Sequence, residues 1–349
     1  MNDMENITKQ VIENIKSKKY EEYEWYSIRS LMGNSWAFFY IMIGGREAGK
    51  SYAVMKHFVK EWKLKGKPFT WLRLTEASTK KLLSNNADKF VDADIRRKYG
   101  LKLSVKGCQV YDDGKPMAKI LALSTFYSDK GVALYDNEYD LGYNIALDEF
   151  QREKGERNTF DITYAFVNQM ENLVRSTKDN VRIFIIGNTL ETASDLLVCF
   201  NFIPEKFGRY YVKKKRAVVD YIKPSKKYLD RRKGSVADLL TPDVSNFTNK
   251  IDVDKSRISK KQLKRPTAII KFSKSKNEWF VVWDGNLIRK WNKENIKNVI
   301  AMTPFLDEVF STENRDQIIN IYNNKGFWFR DLITQKRFTK YLMLLLHKS

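Results

Sequence analysis

Cysteine and histidine are nearly missing from this chain, with two of each in 349 residues. Cys108 and Cys199 stand far apart with no Cys-x-x-Cys spacing, which argues against a zinc site and for a reducing compartment. His57 and His347 are the sole imidazoles, so histidine-based metal or triad chemistry is not expected. Long apolar runs are lacking as well. The opening "MNDMENITKQ" has no leader-type apolar core, and "YLMLLL" near the end is far too short to cross a bilayer, so a cytosolic protein without membrane contact is expected. Acidic residues are in short supply: 42 Asp and Glu face 63 Lys and Arg, a net charge of +21. A surface that basic repels itself unless it meets a polyanion, and nucleic acid is the expected partner.

What is present describes a folded chain. Hydrophobic residues make up 43% and aromatic residues 13%, and the length suits two ordinary domains or one large α/β domain with an appendage. The first 35 residues read as a helical extension with an irregular apolar face. "WAFFYIMI" (36–43) is apolar without alternation, as a strand buried on both faces requires. "KSYAVMKHFVKEWKLKG" places Val54, Phe58, Val59 and Trp62 on one helical face and stops at Gly66. "PFTWLRLT" (68–75) and "EASTKKLLSNNADKFVDADIRRKYG" repeat the strand and helix. "LKLSVKGCQVYDDGKPMAKILALS" alternates around Asp-Asp-Gly and predicts a hairpin at a sheet edge. "YNIALDEF" (143–150) and "VRIFIIGNTL" (181–190) are further buried strands around the amphipathic "ITYAFVNQMENLVRS". This alternation predicts a doubly wound, mostly parallel sheet over 36–221.

Beyond residue 205 the composition changes. Between 206 and 276 there are 22 Lys and Arg against 6 Asp and Glu, so +16 of the +21 falls there. Pro224 and Pro242 suggest a basic linker over 222–255, and Tyr210, Tyr211, Tyr221 and Tyr228, interleaved with the charges of this basic region, could track a phosphate backbone. "PTAIIKFSK", "EWFVVWDGNLIRKW" and "GFWFRDLI", followed by the helical "TKYLMLLLHKS", predict a small α+β domain over 256–349.

Chemistry enters at "YIMIGGREAGKSY". Gly44, Gly49, Lys50 and Ser51 fit G-x-x-x-x-G-K-[ST], the phosphate-cradling loop, with Gly45, Arg46, Glu47, Ala48 and Tyr52 completing it. Lys50 would reach the terminal phosphates of ATP and Ser51 would ligate Mg2+. Asp148, at the end of a buried strand, would hold Mg2+ through water, and Glu149 follows it directly. Adjacent Asp-Glu at this place resembles the second acidic motif of the additional-strand ATPases, in which the second acid polarises the attacking water. A guanine-reading N-K-x-D is matched by "NKID" (249–252), but no strand carries it. Asn188, at the end of the neighbouring strand, is a candidate sensor of the terminal phosphate. Arg175 and Lys178 in "MENLVRSTKDN" sit at a predicted helix end, where ring ATPases insert an arginine into the next subunit's site.

Together "IGGREAGKSY", "ALDEFQREK", "ENLVRSTKDNVR" and "IIGN" resemble the DNA-packaging (encapsidation) ATPases of phi29-like bacteriophages over most of 36–190 and more weakly beyond. The resemblance implies a homopentameric ring on the portal, or connector, of a phage procapsid in the host cytoplasm. The ring would hydrolyse Mg-ATP to drive double-stranded DNA into the shell, and a structural packaging RNA is left open as a further partner. It also implies roles at the nucleotide for Arg73 in "TWLRL" and for Arg46. By the same resemblance Arg175 acts in trans, and Lys130 in "YSDKG" lies at the subunit boundary. The second domain would resemble an RNase H-like nuclease that has lost catalysis. Two-metal nucleases need clustered carboxylates, "TAIIKFSK" carries none, and Asp284 reads as a turn residue, so no nuclease activity is expected. Two other readings share the core motifs: a cellular or plasmid ring helicase, and a non-hydrolysing nucleic-acid-binding protein with a relic loop.

Overall fold

Apolar runs without alternation must be covered on both faces, and in the structure they line up side by side. A computed structural model of the chain describes residues 24–129, 143–152, 160–174, 181–188, 194–240, 255–270, 278–285, 287–292, 305–306 and 312–346. The chain divides into two compact units, one of 1–200 and 204–252, the other of 253–349 with 201–203.

In the first unit a short helix α1 (Arg29–Met32) precedes β1 (Phe39–Ile43), α2 (Lys50–Lys65) and β2 (Phe69–Arg73). Then come α3 (Glu76–Ala87), α4 (Ala93–Tyr99), β3 (Leu103–Lys106), β4 (Gln109–Asp112) and β5 (Lys115–Ala122). β6 (Tyr143–Asp148), α5 (Ile162–Val174), β7 (Val181–Gly187) and α6 (Asp195–Cys199) follow. β8 (Gly208–Val212), β9 (Ala217–Tyr221), α7 (Lys226–Arg232) and α8 (Val236–Leu240) complete the described part. The nine strands form one sheet in the order β3-β4-β5-β2-β6-β7-β1-β9-β8. Its six middle strands are parallel, and its edges are antiparallel.

Burial follows position. All six residues of β6 are buried, whereas the edge strand β3 alternates between half-buried and exposed. Behind β1, Tyr40 stacks on Phe184 at 5.1 Å, and Phe58 meets Phe69 and Phe184 edge-on or tilted at the same spacing. Each such pair adds about 0.5–1.5 kcal/mol beyond its buried area. α2 ends at Gly66, which takes the left-handed conformation (φ 67°) that a glycine terminator supplies.

Three sequence expectations are corrected. The helix read over 76–100 is two helices, because Asn85 and Asn86 adopt left-handed φ of 51° and 55°, a conformation asparagine tolerates, and break the first. The hairpin around Asp-Asp-Gly is present as β4 and β5, turning at Asp113 and Gly114 (φ 51° and 75°), but it is not confined to the edge: β3 pairs with β4 outside it, and β5 pairs in parallel with β2 inside the sheet. The stretch read as a basic linker over 222–255 is, over its described residues 222–240, part of the first unit. There Ser225 caps α7 and Tyr228 is 3% exposed. Tyr210 and Tyr221 are buried as well, at 8% and 2%, so these three tyrosines are not a phosphate track.

The second unit carries a five-stranded sheet, β13-β10-β11-β12-β14, from β10 (Pro266–Ile270), β11 (Glu278–Trp283), β12 (Leu287–Asn292), β13 (Phe305–Leu306) and β14 (Trp328–Phe329). Helix α9 (Thr312–Asn323) lies between β13 and β14 in sequence, and α10 (Leu332–Leu346) follows β14. Phe338 of α10 packs edge-on against Phe280 of β11. Asp284, read as a turn residue, has φ 51°, and its carboxylate accepts from the backbone N–H of Lys264 and Arg265.

Candidate nucleotide-binding site

Strand register builds the site. Leu72 of β2 lies opposite Leu147 of β6, so Arg73 and Asp148 follow as the next residues on neighbouring strands. Asp148 pairs with Ile186 of β7, and Gly187 with Ile43 of β1. The strands therefore finish level, and Arg73, Asp148, Asn188 and the glycine loop emerge at one end of the sheet. β7 lies between β1 and β6, which leaves the width of one strand between the loop and the acids.

A cleft of about 400 Å³ opens there, lined by Arg46 to Tyr52, Asp148, Glu149 and Asn188. The loop's carbonyls are engaged one after another. Lys50 Nζ donates to the oxygens of Gly44 and Gly45 at 2.9 and 2.7 Å. The Arg46 oxygen accepts from Tyr228 Oη at 2.9 Å and Arg232 Nη1 at 3.1 Å. The Glu47 oxygen accepts from Arg231 Nη2 at 2.7 Å, and that of Ala48 from the Tyr26 amide at 2.8 Å. With these oxygens held, the amides are what the loop offers an anion, at the N-terminus of the 16-residue α2. Gly49 has φ 88°, a left-handed conformation that favours glycine, and a Cβ there would come 3.2 Å from the Trp25 ring, close enough that the ring would have to shift.

Ser51 Oγ donates to Asp148 Oδ1 at 2.9 Å. Arg73 spans both acids, with Nη1 2.7 Å from Asp148 Oδ2 and Nη2 2.7 Å from Glu149 Oε2. Asp148 is buried and Glu149 exposed because the chain reverses sharply after β6. The Phe150 amide bonds the Ile186 oxygen, its ring is fully buried against Gly187, and Glu149 is left at φ 56°. A left-handed non-glycine residue costs on the order of 1–3 kcal/mol and tends to mark functional sites. Gly187 admits no side chain, since a Cβ would lie 2.2 Å from Phe150 Cε1. Gly187→Ala should therefore destabilise by about 1–3 kcal/mol, measurable as a lowered unfolding midpoint, and Phe150→Leu in the same chain should recover part of it.

Burial pulls the Lys50 ammonium down to about 8, with Asp148 and Glu149 opposing part of the shift. Phosphates would restore its charge, so above about pH 8 nucleotide binding must take up a proton. Affinity should fall about tenfold per pH unit from there, read by titration calorimetry in buffers of different ionisation enthalpy. An affinity flat from pH 7 to 9.5 would contradict this.

The structure thus brings together Gly44 to Tyr52, Arg73, Asp148, Glu149 and Asn188. Tyr52 lines the cleft while its hydroxyl donates to Asp94 of α4. Asn188's backbone oxygen accepts from Gln151 Nε2 at 3.2 Å. Arg175, Lys178 and Lys130 lie outside the described residues. The sequence reading missed Tyr26, Arg231 and Arg232 and misread Tyr228. The one signal for them was Ser225 three residues before Tyr228, an N-cap spacing that places "YLDRR" on a helix.

A family model described as podovirus DNA encapsidation protein (Gp16) matches residues 22–321. The DNA packaging protein of Bacillus phage B103 is 29% identical over 199 residues, covering 55% of this chain and 56% of its own. That of Bacillus phage phi29 is 28% identical over 175 residues, 49% of this chain and 48% of its own. The chain thus spans about half the length of the curated relatives it matches. Among solved structures, a chain of the Phi-28 gp11 DNA packaging motor superposes with a TM-score of 0.66 at 14% identity, over 91% of this chain and 98% of that one. A chain of the Phi-29 viral genome packaging motor assembly gives 0.58 at 18% identity, over 92% and 100%. These two likenesses speak for the fold. With a family match across most of its length, the chain belongs to the podovirus DNA encapsidation protein (Gp16) family.

Proposed function

We propose that this protein is the ATP-driven motor that translocates double-stranded DNA into a phage procapsid. The observation that carries the reading is the convergence of Lys50, Ser51, Asp148 and Glu149 on one cleft in a chain of this family. The relatives' description as DNA packaging proteins supports it. The donor set suits Mg2+ arriving with nucleotide: Ser51 and Asp148 already meet at 2.9 Å, and phosphates and water would supply the other oxygens. The metal would neutralise charge on the transferring phosphoryl group.

In this reading Lys50 leaves the Gly44 and Gly45 oxygens for those of the phosphates, and Arg46 flanks them from the loop. Glu149 orients water and accepts its proton, and Asn188 senses the terminal phosphate from between loop and acids. Arg175 crosses from the neighbouring subunit, with Lys178 and Lys130 at the same boundary, in a homopentameric ring on the portal. The ring works in the host cytoplasm, attached to the procapsid during packaging, with or without a structural RNA between them. Residues 256–349 form an RNase H-like domain without nuclease activity that contacts DNA or portal; its Asp284 is committed to backbone hydrogen bonds.

Steady-state hydrolysis with and without Mg2+ and duplex DNA tests the reading. Turnover should require Mg2+ and rise with DNA. Nucleotide bound without any turnover would mean a relic loop, and strand separation on forked DNA would mean a helicase.

A further inference from the structure

The charge excess between 206 and 276 does not form one surface. Arg231 and Arg232 are turned inward onto the glycine loop, while Lys213, Lys214, Lys215 and Arg216 make the exposed turn between β8 and β9. β9 runs parallel to β1, whose far end leads into the loop, so this turn lies where the parallel strands begin and the nucleotide cleft where they finish. A five-residue strand separates the two ends by about 16 Å.

Other lysines at that end are neutralised: Lys63 by Asp112 at 2.6 Å, Lys65 and Lys67 by Glu61 at 3.6 and 3.4 Å. None of the four cations in the turn has a carboxylate partner among the described residues. Two of them are held in place. Lys213 Nζ lies 3.7 Å over the Trp36 ring, and Arg216 donates from Nε to the Trp36 oxygen at 3.3 Å. Lys214 and Lys215 point to solvent with them. Arg216 also occupies a left-handed position (φ 48°), where glycine is least strained, and a cation stands there instead.

We propose that the Lys213–Arg216 turn is a docking surface for the phosphodiester backbone of double-stranded DNA, separate from the nucleotide cleft. Adjacent cations, the outer two set against aromatic rings and none paired with an acid among the described residues, match a row of phosphates and read no sequence. The inference rests on the nucleic-acid motor reading and specifies which surface grips.

The test compares two triple variants of the full chain with the same charge change: Lys213→Gln, Lys214→Gln, Lys215→Gln in the turn, and Lys81→Gln, Lys89→Gln, Lys106→Gln elsewhere. Binding to duplex DNA and to duplex RNA is measured across salt, with nucleotide affinity and unfolding midpoint alongside. The turn variant should lower the slope of log K against log salt by about 2–3 for duplex DNA, with ATP affinity unchanged. A response with duplex RNA alone would overturn the assignment to DNA. Equal losses in both variants, or none in the turn variant, would overturn the assignment while leaving the motor reading in place. A wild-type chain that binds neither duplex would overturn both.

Discussion

Glu149→Gln should bind ATP within about threefold of the wild type and hydrolyse it about 10²–10⁴ times more slowly, the range a positioned general base contributes. The amide keeps the size and leaves Lys50, Ser51 and Asp148 with their partners, so binding has no reason to change. What it loses is the basicity that draws a proton from water. The geometry makes the test clean. Glu149 is half exposed in a left-handed turn, and its described ion-pair partner is Arg73. Asp148, one residue earlier, is buried on Ser51 and Arg73. Asp148→Asn should instead weaken Mg-ATP binding itself if, as proposed, its carboxylate helps hold the metal. Single-turnover hydrolysis beside fluorescent-nucleotide binding separates the two. Turnover within threefold of wild type in Glu149→Gln would remove the assignment of Glu149 as the base.

Arg175→Ala should lose about 10³–10⁵ in hydrolysis, the contribution of an arginine supplied across a subunit boundary. Arg175 follows directly on α5, after Val174. If it acts in the neighbour's site, an Arg175→Ala subunit retains an intact cleft, and a Glu149→Gln subunit retains an intact arginine. Rings mixed from the two should then recover turnover at those boundaries where a good cleft meets a good arginine, with a maximum at intermediate ratios. A mixture that stays as inactive as either variant alone would place Arg175 in its own subunit's site.

How much of this was legible before the structure depends on the kind of signal. The loop was legible because backbone phosphate binding demands glycines and a lysine at fixed spacing, whatever surrounds them. The central strands were legible because burial on both faces removes alternation, as in β6. β8 and β9 were hidden by their neighbours. "AVVDY" is buried throughout, yet it follows four consecutive cations and so reads as charged surface. Arg73 carried no signal of its own in the residues around it. Its place at both acids follows from the β2–β6 register, which no local pattern encodes.

By itself the sequence determined the chemistry available: a glycine loop with a lysine, a hydroxyl and a carboxylate suited to a metal, a second acid, and a basic excess suited to a polyanion. Each is a property of a few adjacent residues. The tertiary structure alone decided which groups meet. Strand pairing set Arg73 against Asp148 and Glu149, and the return of residues 222–232 placed Tyr228, Arg231 and Arg232 on loop carbonyls more than 180 residues away. It also divided one basic stretch into an internal clamp and an exposed turn at opposite ends of the sheet. Side-chain identity fixes what a group can do, whereas chain reversal and register fix what it touches, and those are set by contacts distant in sequence.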